Sequence, residues 1–281
     1  MPASSTPLSP AIGLEVSGLS GGALVDRRVA DECLAAVERH GVVVYRETAV
    51  DYDQLVAFAR LLGEVLVVPR GAVEGHPEIA PVTRDRAKDA MAAYREGTFY
   101  WHIDGANDLV PNKLTLLTAK VVPDDPGDGE GDTEFANTYA AYEALPAAEK
   151  SELEGVRVVH SFAATQRLVH PDPTPEQLAT WEQVPSREHP LVWTRANGRR
   201  SLLIGATADH VVGRPPDESR ELLDHLLDWV TRPQFVVQHR WRLGDLVVWD
   251  NTGLLHRALP YGSDSPRLMH RATIAGEEAI A

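Results

Sequence analysis

Cysteine is almost absent from this sequence, because Cys33 is the only one among 281 residues. A single thiol excludes a disulfide within the chain and a zinc site built from several cysteines. Cys33 lies in a helical pattern of apolar residues, which is typical of a small core side chain. The lack of cysteine pairs fits a reducing compartment, and we expect the protein in the cytoplasm.

Long apolar runs and a surplus of positive charge are also missing. Hydrophobic residues make up 43% of the chain, yet no run approaches the roughly 18 apolar residues that cross a bilayer. The N-terminus has neither the basic nor the apolar region of a secretory signal. With 27 Lys and Arg against 41 Asp and Glu, the formal net charge is -14. We therefore expect no nucleic-acid or membrane partner, and an anionic small molecule would need local arginines.

The chain length favours a single domain with insertions, spanning residues 1–281. Residues 1–10 are rich in Ser and Pro, and we expect them to be loosely held. Residues 160–187 mix polar residues with Pro and one short helical pattern, which indicates an insertion near the mouth of a site. Short strand patterns dominate the rest, with helices early and in the insertions. This arrangement predicts a mainly β protein with flanking helices, folded as a double-stranded β-helix of the jelly-roll, cupin-like kind.

Local patterns make these elements specific. Helices are predicted over residues 29–40 and 52–62, because apolar residues recur at helical spacing and a glycine follows each run. The apolar run at 65–68 predicts a strand. Asn197 and Gly198 stand between two apolar runs, which predicts a β-hairpin with its turn at this pair.

Two potential metal ligands, His102 and Asp104, stand one residue apart in the sequence WHID. If this stretch is a strand, alternate side chains share a face and both point the same way. Taken alone, such a pair is more often two hydrated side chains. His256, in the stretch WDNTGLLHR near the C-terminus, supplies a third ligand. Two histidines and one carboxylate form a facial triad that leaves open positions on a non-haem Fe(II), although Zn²⁺ accepts the same ligands.

Arg267 and Arg271 lie four residues apart in a predicted strand and share one face of it. Buried arginine is costly unless an anion meets it, and a guanidinium group matches a carboxylate with two hydrogen bonds. Their Cα atoms are about 13 Å apart in an extended strand, so each arginine can hold a different anion. A dicarboxylate co-substrate and an anionic substrate fit this pattern. Ion pairs with Asp or Glu of neighbouring strands are the alternative.

Several motifs occur in a fixed order along nearly the whole chain. They are WHID at 101–104, GDTEFAN at 131–137, AAYEALP at 140–146, HPLVWT at 189–194, WDNTGLLHRA at 249–258 and RLMHRATIAG at 267–276. Together they resemble the taurine and 2,4-dichlorophenoxyacetate dioxygenase family of Fe(II)/2-oxoglutarate oxygenases.

The resemblance implies a reaction and a role for each site residue. It implies an Fe(II)-dependent dioxygenase that consumes 2-oxoglutarate and O2, hydroxylates an aliphatic carbon of a small carboxylate, sulfonate or sulfate ester, and releases succinate and CO2. We also expect a homo-oligomer. The implied iron ligands are His102, Asp104 and His256; Thr133 and Arg267 match the pair that holds the distal carboxylate of 2-oxoglutarate, and Arg271 matches the arginine that receives the substrate anion.

The substrate pocket departs from the taurine enzymes. Val68 stands where they carry a sulfonate-binding His, and Ala208 stands near a position usually filled by Phe. The stretch IGATADHV at 204–211 is closer to the branch acting on aryloxyalkanoates and alkyl sulfates. Two alternatives stay open at this point: a zinc-dependent hydrolase, and a non-catalytic jelly-roll protein that binds a small anion.

Overall fold

A computed structural model describes residues 3–123 and 129–281 of the protein. The strands are β1 (Ser4–Pro7), β2 (Leu14–Ser17), β3 (Val42–Tyr45), β4 (Ala80–Val82), β5 (Leu114–Val121), β6 (Thr133–Asn137), β7 (Arg157–His160), β8 (Arg187–Pro190), β9 (Val192–Thr194), β10 (Arg200–Leu202), β11 (Ala208–Val211), β12 (Val236–His239), β13 (Leu246–Asp250), β14 (Leu254–Ala258) and β15 (Leu268–Ile274).

Helices connect and cover these strands. They are α1 (Gly21–Leu24), α2 (Arg27–His40), α3 (Tyr52–Leu62), α4 (Thr138–Ala144), α5 (Ala147–Glu152), α6 (Phe162–Val169), α7 (Pro175–Trp181) and α8 (Pro216–Val230), with 3-10 helices at Ala92–Phe99 and Pro233–Phe235. The protein is thus mainly sheet with flanking helices, as the sequence predicts. Within the described ranges, none of the helices has the length and apolar character needed to cross a membrane.

The largest sheet has seven strands in the order β1-β2-β3-β13-β5-β15-β4. Its central strands are apolar runs, and β3 is buried at each of its four positions because the sheet is covered on both faces. β2 and β3 run parallel, which requires the crossover that α1 and α2 supply. The neighbours β13, β5 and β15 pair antiparallel.

Helices α2 and α3 cover the outer face of this sheet. Asp26 caps the start of α2, and Gly41 ends it with a φ of 75° that glycine adopts without strain. Asp51 and Gln54 form a capping box at the start of α3. Apolar side chains of both helices, among them Phe58, pack against the sheet and form one hydrophobic core.

A three-stranded sheet, β12-β6-β14, faces the other side of the large sheet. A second core lies between the two and contains Phe135 and Trp249, whose ring centroids are 5.3 Å apart. Along β14 the side chains alternate, so Leu254 joins this core while Leu255 joins a third core on the outer side. His256 follows in the alternation and therefore faces the space between the sheets.

The third core lies under α4 and α8 and extends to the small sheet β11-β7-β8 and the hairpin β9–β10. The hairpin turn includes Asn197 and Gly198, and the φ of Gly198 is 83°. The prediction of a hairpin at this pair is confirmed, because the turn needs a residue that tolerates positive φ.

The structure differs from the predicted elements in several places. Ser4–Pro7 forms an exposed edge strand on β2, where the composition predicts a loosely held segment; residues 1 and 2 lie outside the described part. Main-chain pairing of this kind leaves no trace in composition. The predicted strand at 65–68 is reduced to a single bridge between Val65 and Ile274. Residues 160–187 carry α6 in addition to the expected helix at α7.

Candidate active site

Three side chains converge at one end of the space between the two sheets. Asp104 Oδ1 lies 3.8 Å from Nε2 of His102 and 3.9 Å from Nε2 of His256. Each residue offers one ligand atom, and these atoms all lie within 4.8 Å of one another. Throughout residues 3–123 and 129–281, no other group of three His, Cys, Asp or Glu side chains is gathered in this way.

Backbone pairing holds the two histidines side by side. The amide of His102 donates to the carbonyl of His256 at 3.0 Å, and the amide of His256 donates back to the carbonyl of His102 at 2.9 Å. Their ring centroids are 4.1 Å apart. The stretch 101–104 therefore forms an isolated bridge rather than the strand predicted for it, and the chain turns at Gly105 directly afterwards. His102 and Asp104 nevertheless point to the same place.

Both histidines present Nε2 to Asp104. Nδ1 of His102 lies 2.8 Å from the carbonyl oxygen of Tyr100, which only accepts, so Nδ1 donates there and Nε2 is the atom that faces the site. Burial lowers the pKa of His256 to about 3, and the neighbouring charge of His102 acts in the same direction. His256 is therefore a neutral imidazole near pH 7.

Asp104 is the anionic member of the group. Burial by itself raises the pKa of this carboxyl group. The charges of His256, Arg271 and His102 oppose burial, and a hydrogen bond from Thr115 adds to them. Together they hold the pKa of Asp104 well below its usual range. Two imidazoles and an ionised carboxylate are the donor set of a non-haem Fe(II) site with open positions.

A cavity of about 50 Å³ adjoins these ligand atoms. Every site residue predicted from the sequence borders it, namely His102, Asp104, Thr133, His256, Arg267 and Arg271. Val82, Leu117 and Ala258 provide apolar parts of its wall. The structure thus brings the whole predicted set to one place, although the members come from three distant parts of the chain.

Arg267 is a buried cation whose outer nitrogen atoms remain available. The residue is 4% exposed, and burial lowers the pKa of its guanidinium group. Nε donates to the carbonyl of Gly131 at 3.0 Å, and the guanidinium group lies 4.9 Å from the ring centroid of Tyr261. Within the described residues Arg267 forms no ion pair, so the alternative of pairing with Asp or Glu of a neighbouring strand does not apply to this arginine. These contacts orient the terminal nitrogen atoms for an anion from outside.

Thr133 borders the same cavity, and its hydroxyl group is held by Trp241. The indole Nε1 of Trp241 donates to Thr133 Oγ1 at 3.0 Å. An indole N–H only donates, so the hydroxyl proton of Thr133 is free for an acceptor in the cavity. The sequence motifs did not single out Trp241, which stands just after β12.

Arg271 lies closer to the metal ligands. Its Nη1 is 3.7 Å from Asp104 Oδ2, too far for a hydrogen bond, and its buried Nε has no partner among the described residues. The side chain is 32% exposed. Arg271 therefore does face a carboxylate, that of Asp104, which resembles the alternative of ion pairing with Asp or Glu. Its hydrogen-bond donors nevertheless remain available to a further anion.

Arg95 is a third arginine of this cavity, and no motif in the sequence points to it. Its Nε donates to Asp89 Oδ2 at 2.6 Å and its Nη2 donates to the carbonyl of Pro81 at 3.1 Å. The hydrogen bond to Pro81 ties the 3-10 helix Ala92–Phe99 to the edge strand β4, and the buried ion pair with Asp89 holds the guanidinium group in place. Arg95 is thus already paired, in contrast to Arg267.

The chain was compared with protein families, curated proteins and solved structures. Residues 4–273 match the family model described as "Taurine catabolism dioxygenase TauD, TfdA family". The chain belongs to this family. The TauD/TfdA assignment agrees with the resemblance that the motifs show.

Relatives of this TauD/TfdA member agree with the assignment. It is 37% identical over 253 residues to the alpha-ketoglutarate-dependent 2,4-dichlorophenoxyacetate dioxygenase of Burkholderia sp. (strain RASC), covering 85% of this chain and 83% of the relative. It is 31% identical to the (S)-phenoxypropionate/alpha-ketoglutarate-dioxygenase of Sphingobium herbicidovorans, covering 97% and 95%. The crystal structure of AAD-2 in complex with Mn(II) and N-oxalylglycine matches with a TM-score of 0.82 and 29% identity, and covers all of both chains.

Family membership decides among the three functions that the sequence allows, namely a dioxygenase, a zinc hydrolase and a non-catalytic anion-binding protein. The protein is a dioxygenase that depends on Fe(II), 2-oxoglutarate and O2. It is neither a zinc hydrolase nor a non-catalytic anion-binding protein. The donor set of His102, Asp104 and His256 fits this cofactor by its chemistry.

A second cavity of about 420 Å³ adjoins the opposite face of β14 in this TauD/TfdA member. Arg257 borders it, whereas the preceding residue His256 borders the metal cavity, as alternation along a strand requires. Ala208 lines this larger cavity and not the smaller one, and Val68 lines neither of them. The two departures from the taurine enzymes therefore lie outside the wall of the metal cavity.

Proposed function

We propose that His102, Asp104 and His256 hold the iron, that Thr133 and Arg267 hold the distal carboxylate of 2-oxoglutarate, and that Arg271 receives the anionic group of the substrate. The observation that carries this proposal is the convergence of three ligand atoms beside a buried arginine that has no acidic partner in the described chain. When bound, the iron and 2-oxoglutarate supply the oxidation of an aliphatic C–H bond by O2.

The role of the protein is to bind and orient the reactants. Arg267 presents its terminal nitrogen atoms to a carboxylate because Gly131 already holds Nε. Thr133 adds a hydroxyl donor whose direction Trp241 fixes. Apolar wall residues such as Leu117 exclude water, which strengthens both of these interactions.

We propose a small carboxylate, sulfonate or sulfate ester as the substrate. Arg271 supports this class, because its buried Nε has no partner in the described part of the chain and a guanidinium fork suits all three anions. The names of the relatives support it too, since they act on 2,4-dichlorophenoxyacetate and (S)-phenoxypropionate, and another at 30% identity is a sulfate ester dioxygenase. Hydroxylation of a carbon bonded to O, S or N would then lead to bond cleavage in the product.

For the fold we propose a double-stranded β-helix that forms one domain over residues 1–281, with 160–187 as an insertion near the site mouth. The support is a core shared by the seven-stranded and three-stranded sheets, with the ligand residues at one end of it. Ala164 and Leu168 of the insertion border the larger cavity beside the site.

The proposal is tested by anaerobic absorption spectroscopy of the Fe(II)-loaded protein with 2-oxoglutarate. We expect a weak visible charge-transfer band in the wild type and its loss in His102→Ala and Asp104→Ala, because the open iron face chelates the keto acid. His225→Ala is the matched control, since His225 is an exposed histidine paired with Glu149. An unchanged band in both ligand variants would exclude the assignment. Succinate release with a panel of small anions then identifies the substrate.

A further inference from the structure

Three buried side chains form a hydrogen-bond chain behind Asp104. Thr115 Oγ1 donates to Asp104 Oδ2 at 3.0 Å, and Asn251 Nδ2 donates to Thr115 Oγ1 at 2.8 Å. Trp249 Nε1 donates to Asn251 Oδ1 at 2.9 Å. Thr115 and Asn251 are fully buried, and Trp249 is 2% exposed. Water therefore does not compete for these groups.

The direction of each hydrogen bond follows from the chemistry of its donor. An indole N–H can only donate, so the amide oxygen of Asn251 must face Trp249. The amide nitrogen then faces Thr115 and occupies the hydroxyl oxygen as an acceptor. Only one proton remains on Thr115, and it points to Asp104 Oδ2. Turning the amide around would set two donors against each other and leave buried groups without partners.

The sheet fixes where these groups meet. Trp249 on β13 and Thr115 on β5 are direct partners in the strand register, so their side chains lie on the same face. Asn251 directly follows β13, and its backbone amide donates to the carbonyl of Lys113. The chain of hydrogen bonds is therefore anchored in the centre of the seven-stranded sheet, while Asp104 lies in a turn outside it.

We propose that Trp249, Asn251 and Thr115 act as a positioning relay that commits Asp104 Oδ2 to the protein and leaves Oδ1 as the single ligand atom for the metal. Oδ1 is the oxygen measured at 3.8 Å and 3.9 Å from the two histidine Nε2 atoms. This inference rests on the proposed role of Asp104 as an iron ligand. The relay residues act through Asp104 and do not touch the metal themselves.

The relay has a consequence for the reaction. A carboxylate that binds through both oxygens takes up one more coordination position than a carboxylate that binds through one. The facial triad is useful because it leaves positions for both the keto acid and O2. By holding Oδ2, Thr115 keeps Asp104 from closing one of these positions.

The test is a calorimetric titration of the metal-free protein with Mn(II) alone. We expect Thr115→Val to lose roughly tenfold to hundredfold in affinity, the usual effect of removing a group that orients a ligand. Thr115→Ser restores the hydroxyl group and should retain wild-type affinity. The matched control is Thr118→Val on the same strand, because Thr118 is also fully buried and its hydroxyl oxygen has no partner in the described part of the chain.

The outcomes separate this inference from the proposed function. The relay is refuted if Thr115→Val binds Mn(II) with wild-type affinity. It is also refuted if Thr118→Val loses as much affinity as Thr115→Val, since removing any buried hydroxyl group would then have the same effect. If Thr115→Val does not fold, Trp249→Phe decides by the same criterion, with a smaller loss expected because Trp249 is two hydrogen bonds further from Asp104 than Thr115 is. If the wild-type protein binds no Mn(II) and shows no band with Fe(II) and 2-oxoglutarate, the ligand assignment itself is refuted. The charge-transfer band should also shift in Thr115→Val but not in Thr118→Val.

Discussion

Removing the guanidinium group of Arg267 should raise the requirement for 2-oxoglutarate far more than removing the hydroxyl group of Thr133. Arg267 is 4% exposed and forms no ion pair with the described residues, so in Arg267→Ala the distal carboxylate of 2-oxoglutarate is buried without a counter-charge. Truncating one partner of a buried charge pair costs about 2–5 kcal/mol. At 1.4 kcal/mol for each factor of ten, this is a loss of roughly 30-fold to several-thousand-fold in affinity.

Thr133→Val removes one hydrogen bond from a hydroxyl group and keeps the volume of the side chain. One such bond contributes about 0.5–1.5 kcal/mol, so the loss should be about twofold to tenfold. The assay is an anaerobic titration of the Fe(II) protein with 2-oxoglutarate, followed at the charge-transfer band. Arg60→Ala serves as a control for loss of charge, since Arg60 is an exposed arginine paired with Glu78. A larger effect at Thr133 than at Arg267 would refute the assignment.

Three further changes have expected outcomes. Arg271→Lys keeps the charge but loses the planar fork, so substrate should no longer perturb the charge-transfer band efficiently while 2-oxoglutarate still forms it; wild-type substrate affinity would make Arg271 a structural residue. Trp241→Phe leaves the hydroxyl group of Thr133 undirected and should weaken 2-oxoglutarate binding by about 0.5–1.5 kcal/mol in the same titration, whereas no change would show that the indole contact is irrelevant. Burial lowers the pKa of His160 from 6.5 to about 3. As the pH falls from 6.5 towards 3, His160 takes up a proton in the unfolded chain but not in the folded chain. The free energy of unfolding therefore decreases over this range. In urea unfolding at pH 7 and pH 5, His160→Gln should lose less stability than the wild type; equal losses would contradict this account.

The convergence of the three candidate ligands was predictable because each stands in a motif whose residue types suit one chemistry. His102 and Asp104 suggested a shared direction, and His256 completed the donor set. The mechanism of their alignment was not predictable, since a strand was expected at 101–104 and a single reciprocal bridge is present. In a regular strand, alternation would place the side chains of His102 and Asp104 on one face. The single bridge followed by a turn also points both side chains to the same place.

The groups that orient the ligands were largely hidden. Asp250 and Asn251 follow Trp249 directly, and the sequence alone does not show which of them faces Thr115. In the structure Asp250 accepts from the amide of Thr252 and caps the turn, while Asn251 reaches Thr115. Which of two neighbouring polar residues faces the site depends on the end of β13, and this is a matter of one residue in register.

The elements beyond the site follow the same rule. Helices α2 and α3 were predictable because their apolar spacing and their end signals agree. The edge strand at Ser4–Pro7 was not, because exposed main-chain pairing leaves no pattern of burial in the side chains. The expected homo-oligomer and the cytoplasmic location stay predictions.

The reciprocal bridge between His102 and His256 joins two segments that lie more than half the chain apart in sequence. Such a contact closes a long loop, and the contacts that it brings together must offset the entropy lost in that closure. The three candidate ligand atoms therefore come together only when both segments are in place, and a chain lacking the C-terminal strands lacks His256. Metal uptake through these three side chains thus requires that both distant segments have folded against each other.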